Sequence, residues 1–376
     1  MFLTDEEKKL TIEGCRFCPM CFHADTVAGI THRETYSPRG RALTLFALEH
    51  GVLKWEEPAV AEVLYKSFTD GLPQEWCAGH YDHDELIIDS RHRLVEKGLA
   101  PEGVGRAASR ILETGSPYDP GNGEEVFREA LASSTSGAEL LVFAGCAGRS
   151  LYPASLRAMV KLLKAKKIPH RFLDPEPCCG MPLYQLGDFT HAAQQAKKVC
   201  QQIAEARVRE VVCLDADCFR MLTMRFARLG AQLPEGLRVW HVSEWLNSMI
   251  VKEKWTFEKR PDQVAYHDPS SLARFTRLHE PPRAVLASLF SGKPLEIFGN
   301  GGKAFCCGDG GGMLLINPEI AREAARRRFE QACHTGAALL ITASPTCAAL
   351  LSEARAEART EGPVVRDLIE IVSESV

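Results

Sequence analysis

The chain has 376 residues, 45% hydrophobic and 25% charged, with a formal net charge of −4. That length supports two or three domains with cores of their own, and the charge balance, with no basic stripe, excludes the electrostatic footprint of a nucleic-acid binder. No stretch approaches the roughly 18 apolar residues of a membrane span, and the opening MFLTDEEKKL lacks the apolar run of a secretory signal; a cytoplasmic protein is expected, peripheral to a membrane only through a partner.

Residues 1–130 read as mostly helical, with SPRGRALTLFALEHG and DELIIDSRHRLVEKG as the clearest helices and no convincing strand pair. HYDHDE (80–85) looks like a metal site on paper but reads better as a surface turn, and GSPYDPGNGEE (115–125), dense in Gly, Pro and Asn, reads as a linker. From about residue 134, short apolar runs alternate with helical stretches. AELLVFAG (138–145), HRFLD (170–174) and EVVCL (210–214) are expected strands; PASLRAMVKLLKAKK (153–167), FTHAAQQAKKVCQQIAEA (189–206) and CFRMLTMRFARLG (218–230) are expected helices. The order then returns, with strands at DQVAYHD (262–268), PLEIFG (294–299) and AALLITA (337–343). Helices fall at PPRAVLASLF (281–290), PEIAREAARRRFEQAC (318–333) and PTCAALLSEARAEA (345–358). Such alternation implies parallel α/β units, and the matching punctuation gives an internal repeat of roughly 125 residues. The expected fold class is α+β multidomain: a helical module over 1–130, then two pseudo-symmetric α/β modules over 134–255 and 256–376.

Fourteen cysteines in a chain without an export signal point to metal or redox chemistry rather than a disulfide framework. They are not scattered. Chance placement gives about 0.04 Cys-Cys-Gly triplets in such a chain, and two occur, at 178–180 and 306–308. Aligned on these triplets, the first repeat contributes Cys146, Cys178, Cys179, Asp215 and Cys218; the second contributes Ser270, Cys306, Cys307, Ser344 and Cys347. Each follows or ends an expected strand, and parallel units present their crevice beyond the carboxyl ends of strands, so each set is expected to converge. Cys200, Cys213 and Cys333 lie off the pattern and read as small buried hydrophobes.

At these residues the chain resembles the cysteine-rich CCG family, which includes catalytic subunits of heterodisulfide reductases and iron–sulfur subunits of glycolate and lactate oxidases. The family module is a Cys, then CCG, then CxxC, usually occurring twice. YHDPSSLAR here is similar to the family's YHDPCHLAR, with Ser270 at the Cys, and SPTC is similar to its CPTC, with Ser344 at the first Cys. The resemblance implies 4Fe-4S clusters, whose irons need thiolates aimed inward from several segments. Cys146, Cys178, Cys179 and Cys218 suffice for one ordinary cluster. Cys306, Cys307 and Cys347 leave the second module either empty or holding a labile cluster completed by a non-cysteine ligand.

The N-terminal module carries a further pattern. A two-cluster ferredoxin repeats C-x2-C-x2-C-x3-C, and the fourth cysteine of each run ligates the other run's cluster. The runs here are Cys15, Cys18, Cys21, Asp25 and Ser67, Asp70, Pro73, Cys77. Crossed over, Cys15, Cys18 and Cys21 take Cys77 and form a complete set, while Ser67, Asp70, Pro73 and Asp25 form a set with no thiolate. A ferredoxin-like module with one 4Fe-4S cluster is expected; the alternative has Asp25 or His23 completing the first run. Arg39 and Arg41 are read either as contacts to a cluster or partner or as residues ordering a helix start after Pro38.

The expected function is that of an iron–sulfur electron-transfer subunit in a hetero-oligomeric oxidoreductase. It would sit between a flavoprotein dehydrogenase, or an electron-transfer flavoprotein, and a downstream acceptor, because no flavin or nicotinamide fingerprint occurs in the chain. Two alternatives stand beside it: a catalytic disulfide reductase of the heterodisulfide type, which the incomplete CxxC positions weaken, and a non-redox scaffold whose remaining cysteines bind zinc.

Overall fold

The structure, a computed structural model, describes residues 4–358 and 361–376. Helices Asp5–Gly14, Pro38–Glu49, Pro58–Tyr65, His83–Glu96 and Glu102–Thr114 make up most of the N-terminal part. Their starts are set by local chemistry: Thr4 and Glu7 form a reciprocal capping box, and Ser37 accepts from Gly40 N (3.0 Å) ahead of Pro38 at the first turn. Leu45, Leu64, Leu86, Ile87 and Leu94 bury the inward faces of these helices in one core.

The remainder carries two small parallel sheets. β1 (Leu140–Phe143), β2 (Glu210–Cys213) and β3 (Arg238–His241) stand in the order β1-β2-β3, with Leu141 opposite Val211 and Val211 opposite Val239. β4 (Val264–His267), β5 (Leu295–Glu296), β6 (Leu339–Thr342) and β7 (Val364–Asp367) stand in the order β5-β4-β6-β7. β1 and β4 are buried along their whole length, as strands of parallel sheets covered on both faces must be. The fold class is α+β, with two copies of the α/β unit.

Several expected elements take a different form. HRFLD is no strand: Arg171 makes one bridge to Leu141, and Pro175 and Pro177 just beyond lack the N–H groups needed to extend a ladder. The expected helix over 218–230 is α-helical over Ala216–Arg220, widens to a π turn at Met221–Arg225 and ends in the 3-10 turn Ala227–Leu229. Further π turns follow Cys146 (Ala147–Leu151) and Ser270 (Ser271–Phe275), the related positions of the two repeats. Two further strand–helix pairs lie outside the expected elements: β3 with helix Val242–Lys252, and β7 with helix Leu368–Glu374.

These last helices cross over. Val242–Lys252 packs on Glu280–Leu289 of the second repeat, and Leu368–Glu374 packs on Pro153–Ala165 of the first. Leu141 and Leu162 therefore share one core with Val264, Leu286 and Ile371. Arg91, fully buried, ties the helical part to both repeats, donating to Leu64 O (3.0 Å), Ser67 O (2.8 Å), Gln185 O (2.9 Å) and Gly311 O (2.9 Å). No helix among the described residues is long and apolar enough to cross a membrane.

Candidate metal centres

In the first repeat, Cys146 lies just beyond β1, Cys178 and Cys179 form the turn that ends at Gly180, and Cys218 sits in the helix that follows β2. All four thiols are buried and in sequence touch one another: Cys146 to Cys178, Cys178 to Cys179, Cys179 to Cys218. The hydrogen bond shared with Cys178, and then burial, hold the Cys146 thiol well above the ordinary thiol range. Such a set ionises only toward a cation, and four soft donors at one point are the chemistry an iron–sulfur cluster takes. Two glycines permit the approach. A Cβ on Gly145 (φ +72°) would stand 2.8 Å from Cys218 Sγ, and one on Gly180 (φ +91°) would press on Ala192 O at 3.1 Å. The turn into Cys146 is fixed by Glu176, a buried acid missed from sequence. Its carboxylate accepts from Ala144 N (2.9 Å) and Gly145 N (2.8 Å) and lies 3.5 Å from Arg149 Nε. The crowding of Glu176 between two prolines before the triplet was its only sequence signal.

In the second repeat, Cys307 Sγ lies 2.9 Å from Cys347 Sγ, and Cys306 bonds Cys307. All three thiols are buried. Ser344 caps helix Pro345–Glu357 and donates to Asp215 Oδ2 at 2.9 Å; Thr346 Oγ1 donates to the same oxygen at 2.9 Å. The residues standing at one motif position in the two repeats thus bond each other across the repeat interface. Ser270 lines a cavity of about 20 Å³, the volume of a single water, together with Asp217, Cys306, Asp309 and Cys347. Ser271 Oγ bonds Asp217, and Tyr118 OH reaches Asp309 Oδ1 at 3.5 Å. Tyr118 belongs to the segment read as a linker; it is partly buried against the first repeat rather than solvated.

In the helical part, Cys15 ends helix Asp5–Gly14, Cys21 opens the turn Phe22–Ala24 and Cys77 ends helix Leu72–Trp76. Cys77 lies close enough to Cys15 and Cys21 to bear on both: burial is the larger cause and the Cys77 thiol adds to it, raising the pKa of each, that of Cys21 to about 11. Cys18 is exposed, Cys15 and Cys77 are half-buried and Cys21 is buried, so this group reaches the surface. The other crossed set is occupied by structural bonds. Asp25 accepts from Ala28 N (2.7 Å) and pairs with buried Arg41; Asp70 accepts from Leu72 N (3.1 Å) and pairs with Arg274 at 3.0 Å; Ser67 Oγ accepts from Thr69 N at 3.3 Å. Arg39 is half-buried and pairs with Glu34 at 2.7 Å. His23 packs edge-on against Trp76.

The reading of residues 80–85 as a surface turn is corrected by the structure. His83, Asp84 and Glu85 are buried at the start of their helix. Asp84 accepts from Gly71 N, and Glu85 meets Arg225, Arg228 (2.8 Å) and Tyr184 OH (2.7 Å). These partners lie far along the chain, where local composition cannot reveal them.

Comparison with known proteins agrees with this architecture. Residues 140–223 and 264–352 each match the CCG family, described as "Cysteine-rich domain". The chain is 30% identical over 321 residues to one of the subunits of the dihydromethanophenazine:CoB–CoM heterodisulfide reductase of Methanosarcina acetivorans, spanning 82% of this chain and 76% of that protein. It is 22% identical to the EtfAB:quinone oxidoreductase of Syntrophomonas wolfei, over 79% of this chain and 44% of that protein. The crystal structure of a hypothetical protein from Helicobacter pylori shares the fold, with a TM-score of 0.64 at 12% identity over 100% of this chain and 73% of that one. With two copies of the cysteine-rich unit and this relationship to the Methanosarcina reductase, the chain belongs to the CCG-domain family of iron–sulfur oxidoreductase subunits.

Proposed function

We propose that the chain is an electron-transfer subunit that relays electrons between a flavoprotein dehydrogenase, or an electron-transfer flavoprotein, and a downstream acceptor. In this reading Cys15, Cys18, Cys21 and Cys77 hold one 4Fe-4S cluster, and Cys146, Cys178, Cys179 and Cys218 hold a second. Each cluster, when bound, supplies a one-electron store; the chain's own residues hold the thiolates, exclude water and set the access. The observation that carries the reading is the difference in depth: Cys18 is exposed, whereas all four thiols of the first repeat are buried. Electrons exchanged with another protein therefore enter or leave on the Cys18 side.

The neighbours of these groups support a serial arrangement. The segment leading to Asp70, in the thiolate-free set of the helical part, abuts the second triplet: a Cβ on Gly310 would stand 2.5 Å from Phe68 O and 3.2 Å from Cys306 Sγ. Asp215 beside the first group bonds Ser344 beside the second. The flavoprotein partner is inferred from the lack of a flavin or nicotinamide fingerprint in this chain and from the name of the Syntrophomonas relative.

A disulfide reductase reading draws on the name of the Methanosarcina relative. It needs a five-thiolate site, and Asp215, Ser270 and Ser344 stand where such thiolates would be, two of them already bonded to each other. Anaerobic purification with iron and sulfide analysis tests the proposal. Roughly eight or more irons per chain, visible charge-transfer absorption and bleaching by a reduced electron-transfer flavoprotein are expected. Zinc in place of iron, with a colourless protein, would overturn it in favour of a scaffold.

A further inference from the structure

The thiols of the second repeat are divided between two cores. Cys146, Cys178, Cys179 and Cys218 of the first repeat share one. Cys306, by contrast, packs with Val27, Val63 and Phe68 of the helical part, while Cys307 and Cys347 pack together inside the second repeat. Cys307 Sγ and Cys347 Sγ stand 2.9 Å apart, within about 1 Å of the bonded separation of a disulfide. The cavity that they line with Ser270 is about 20 Å³, room for one water. A ring nitrogen of buried His267 lies within 4.8 Å of both sulfurs. Behind that ring is a buried cation: Arg328 donates to His267 Nδ1 (3.1 Å), Phe298 O (2.7 Å), Gly299 O (2.9 Å) and Gln331 Oε1 (2.8 Å), and none of these partners carries a negative charge. A buried cation among neutral partners favours negative charge close by, which a sulfur pair passing through a thiolate supplies.

We propose that Cys307 and Cys347 form a thiol–disulfide redox centre, so that the second repeat serves electron transfer through a pair of sulfurs in place of a cluster. The inference rests on the electron-transfer reading, which supplies its reductant. In the oxidised state one bond joins Cys307 Sγ to Cys347 Sγ. Two electrons, delivered singly by way of the four-cysteine group of the first repeat, break that bond. Two protons entering by the water-sized cavity then give two thiols; reoxidation returns the same two electrons and two protons. The path is short, because helix Pro345–Glu357, which carries Cys347, packs on the turn Ala147–Leu151 that follows Cys146. Cys306, on the other core, stays a thiol throughout. The pair gives the chain a two-electron store beside its one-electron groups.

The full chain, purified anaerobically with its iron, tests this by reductive titration and by acid-quenched alkylation with peptide mass mapping. The oxidised protein should show Cys307 joined to Cys347 and Cys306 alkylated; the reduced protein should show all three alkylated. Uptake should be about four electrons per chain, falling to about two in Cys307→Ser and in Cys347→Ser with iron unchanged at roughly eight. Cys306→Ser should keep the bond. Far-ultraviolet circular dichroism checks the fold of each variant, and Cys347→Ser carries the comparison if Cys307→Ser misfolds. Iron lost from a folded Cys347→Ser protein would show that the pair ligates metal and overturn the inference. No disulfide in the oxidised protein, or equal electron uptake with and without Cys347, would overturn it as well, while roughly eight reducible irons leave the electron-transfer reading standing. A chain without iron overturns both.

Discussion

Asp84 accepts from Gly71 N inside the helical part, where burial first and then the charges of Asp70 and Asp82 push its pKa up to about 7. An unfolded aspartate titrates near ~3.9. As pH rises past that value the unfolded chain loses its proton first, the native state binds more protons, and stability falls until pH passes about 7. Asp84→Asn removes this effect, so unfolding free energies at pH 5.5 and 8 should lie closer together than in the unmodified protein, by on the order of 1–4 kcal/mol. Parallel pH profiles for the two proteins would reject the assignment. Cys77 and Asp25 make a second residue-scale contrast. Cys77→Ser should remove one cluster's iron. Asp25→Ala should keep that iron but destabilise by about 3–5 kcal/mol, because it leaves Arg41 as a buried charge without its partner. The reverse pattern in iron analysis and thermal melts would show that Asp25, and not Cys77, is the fourth ligand.

Among elements, the contact between the segment 67–70 and the glycines after the second triplet decides how the helical part meets the second repeat. A Cβ on Gly310 would stand 2.5 Å from Phe68 O and 3.2 Å from Cys306 Sγ, and one on Gly308 (φ +118°) would stand 2.2 Å from Ala321 O. The run of glycines here receives a neighbouring backbone. Gly310→Ala should part the two surfaces, seen as faster proteolysis within 67–73 with the rest of the chain still protected. Unchanged cleavage would show that the segment can shift without cost. Helix His83–Glu96 is anchored to the first repeat in another way, through Glu85 held by Arg225, Arg228 and Tyr184. Burial opposes ionisation of Glu85, but the arginines win and keep its pKa below the usual carboxylate value.

For the whole molecule, the exchange of terminal helices means that neither repeat is closed by its own chain segment alone. Helix Leu368–Glu374 covers Pro153–Ala165, the helix that follows Cys146. Ending the chain at Asp367 uncovers Leu162 and its neighbours in the shared core, at about 1.5–3 kcal/mol for each large apolar side chain exposed. Such a truncation should therefore cost the first repeat its iron although every one of its cysteines remains. A truncated protein with full iron content and an unchanged melt would show that the repeats close independently.

The pattern of the chain alone determined the repeat, its two triplets, and most strands and helices, because each of these is written as spacing or periodicity along the sequence. Tertiary structure decided what spacing does not encode. β3 and β7 are short and partly polar, and they exist as strands because β2 and β6 lie beside them. Asp25, Asp84, Glu85 and Glu176 look like surface acids in sequence, yet each is buried. A buried carboxylate is tolerable only where a cation or a backbone N–H meets it, and Arg41, Arg225, Gly71 and Gly145 arrive from distant positions. His267 stands in the quoted YHDPSSLAR segment, but its surroundings are likewise set by the fold. A histidine in a strand carries no mark of what its ring will face until β4 and the turn carrying Cys307 are folded against each other.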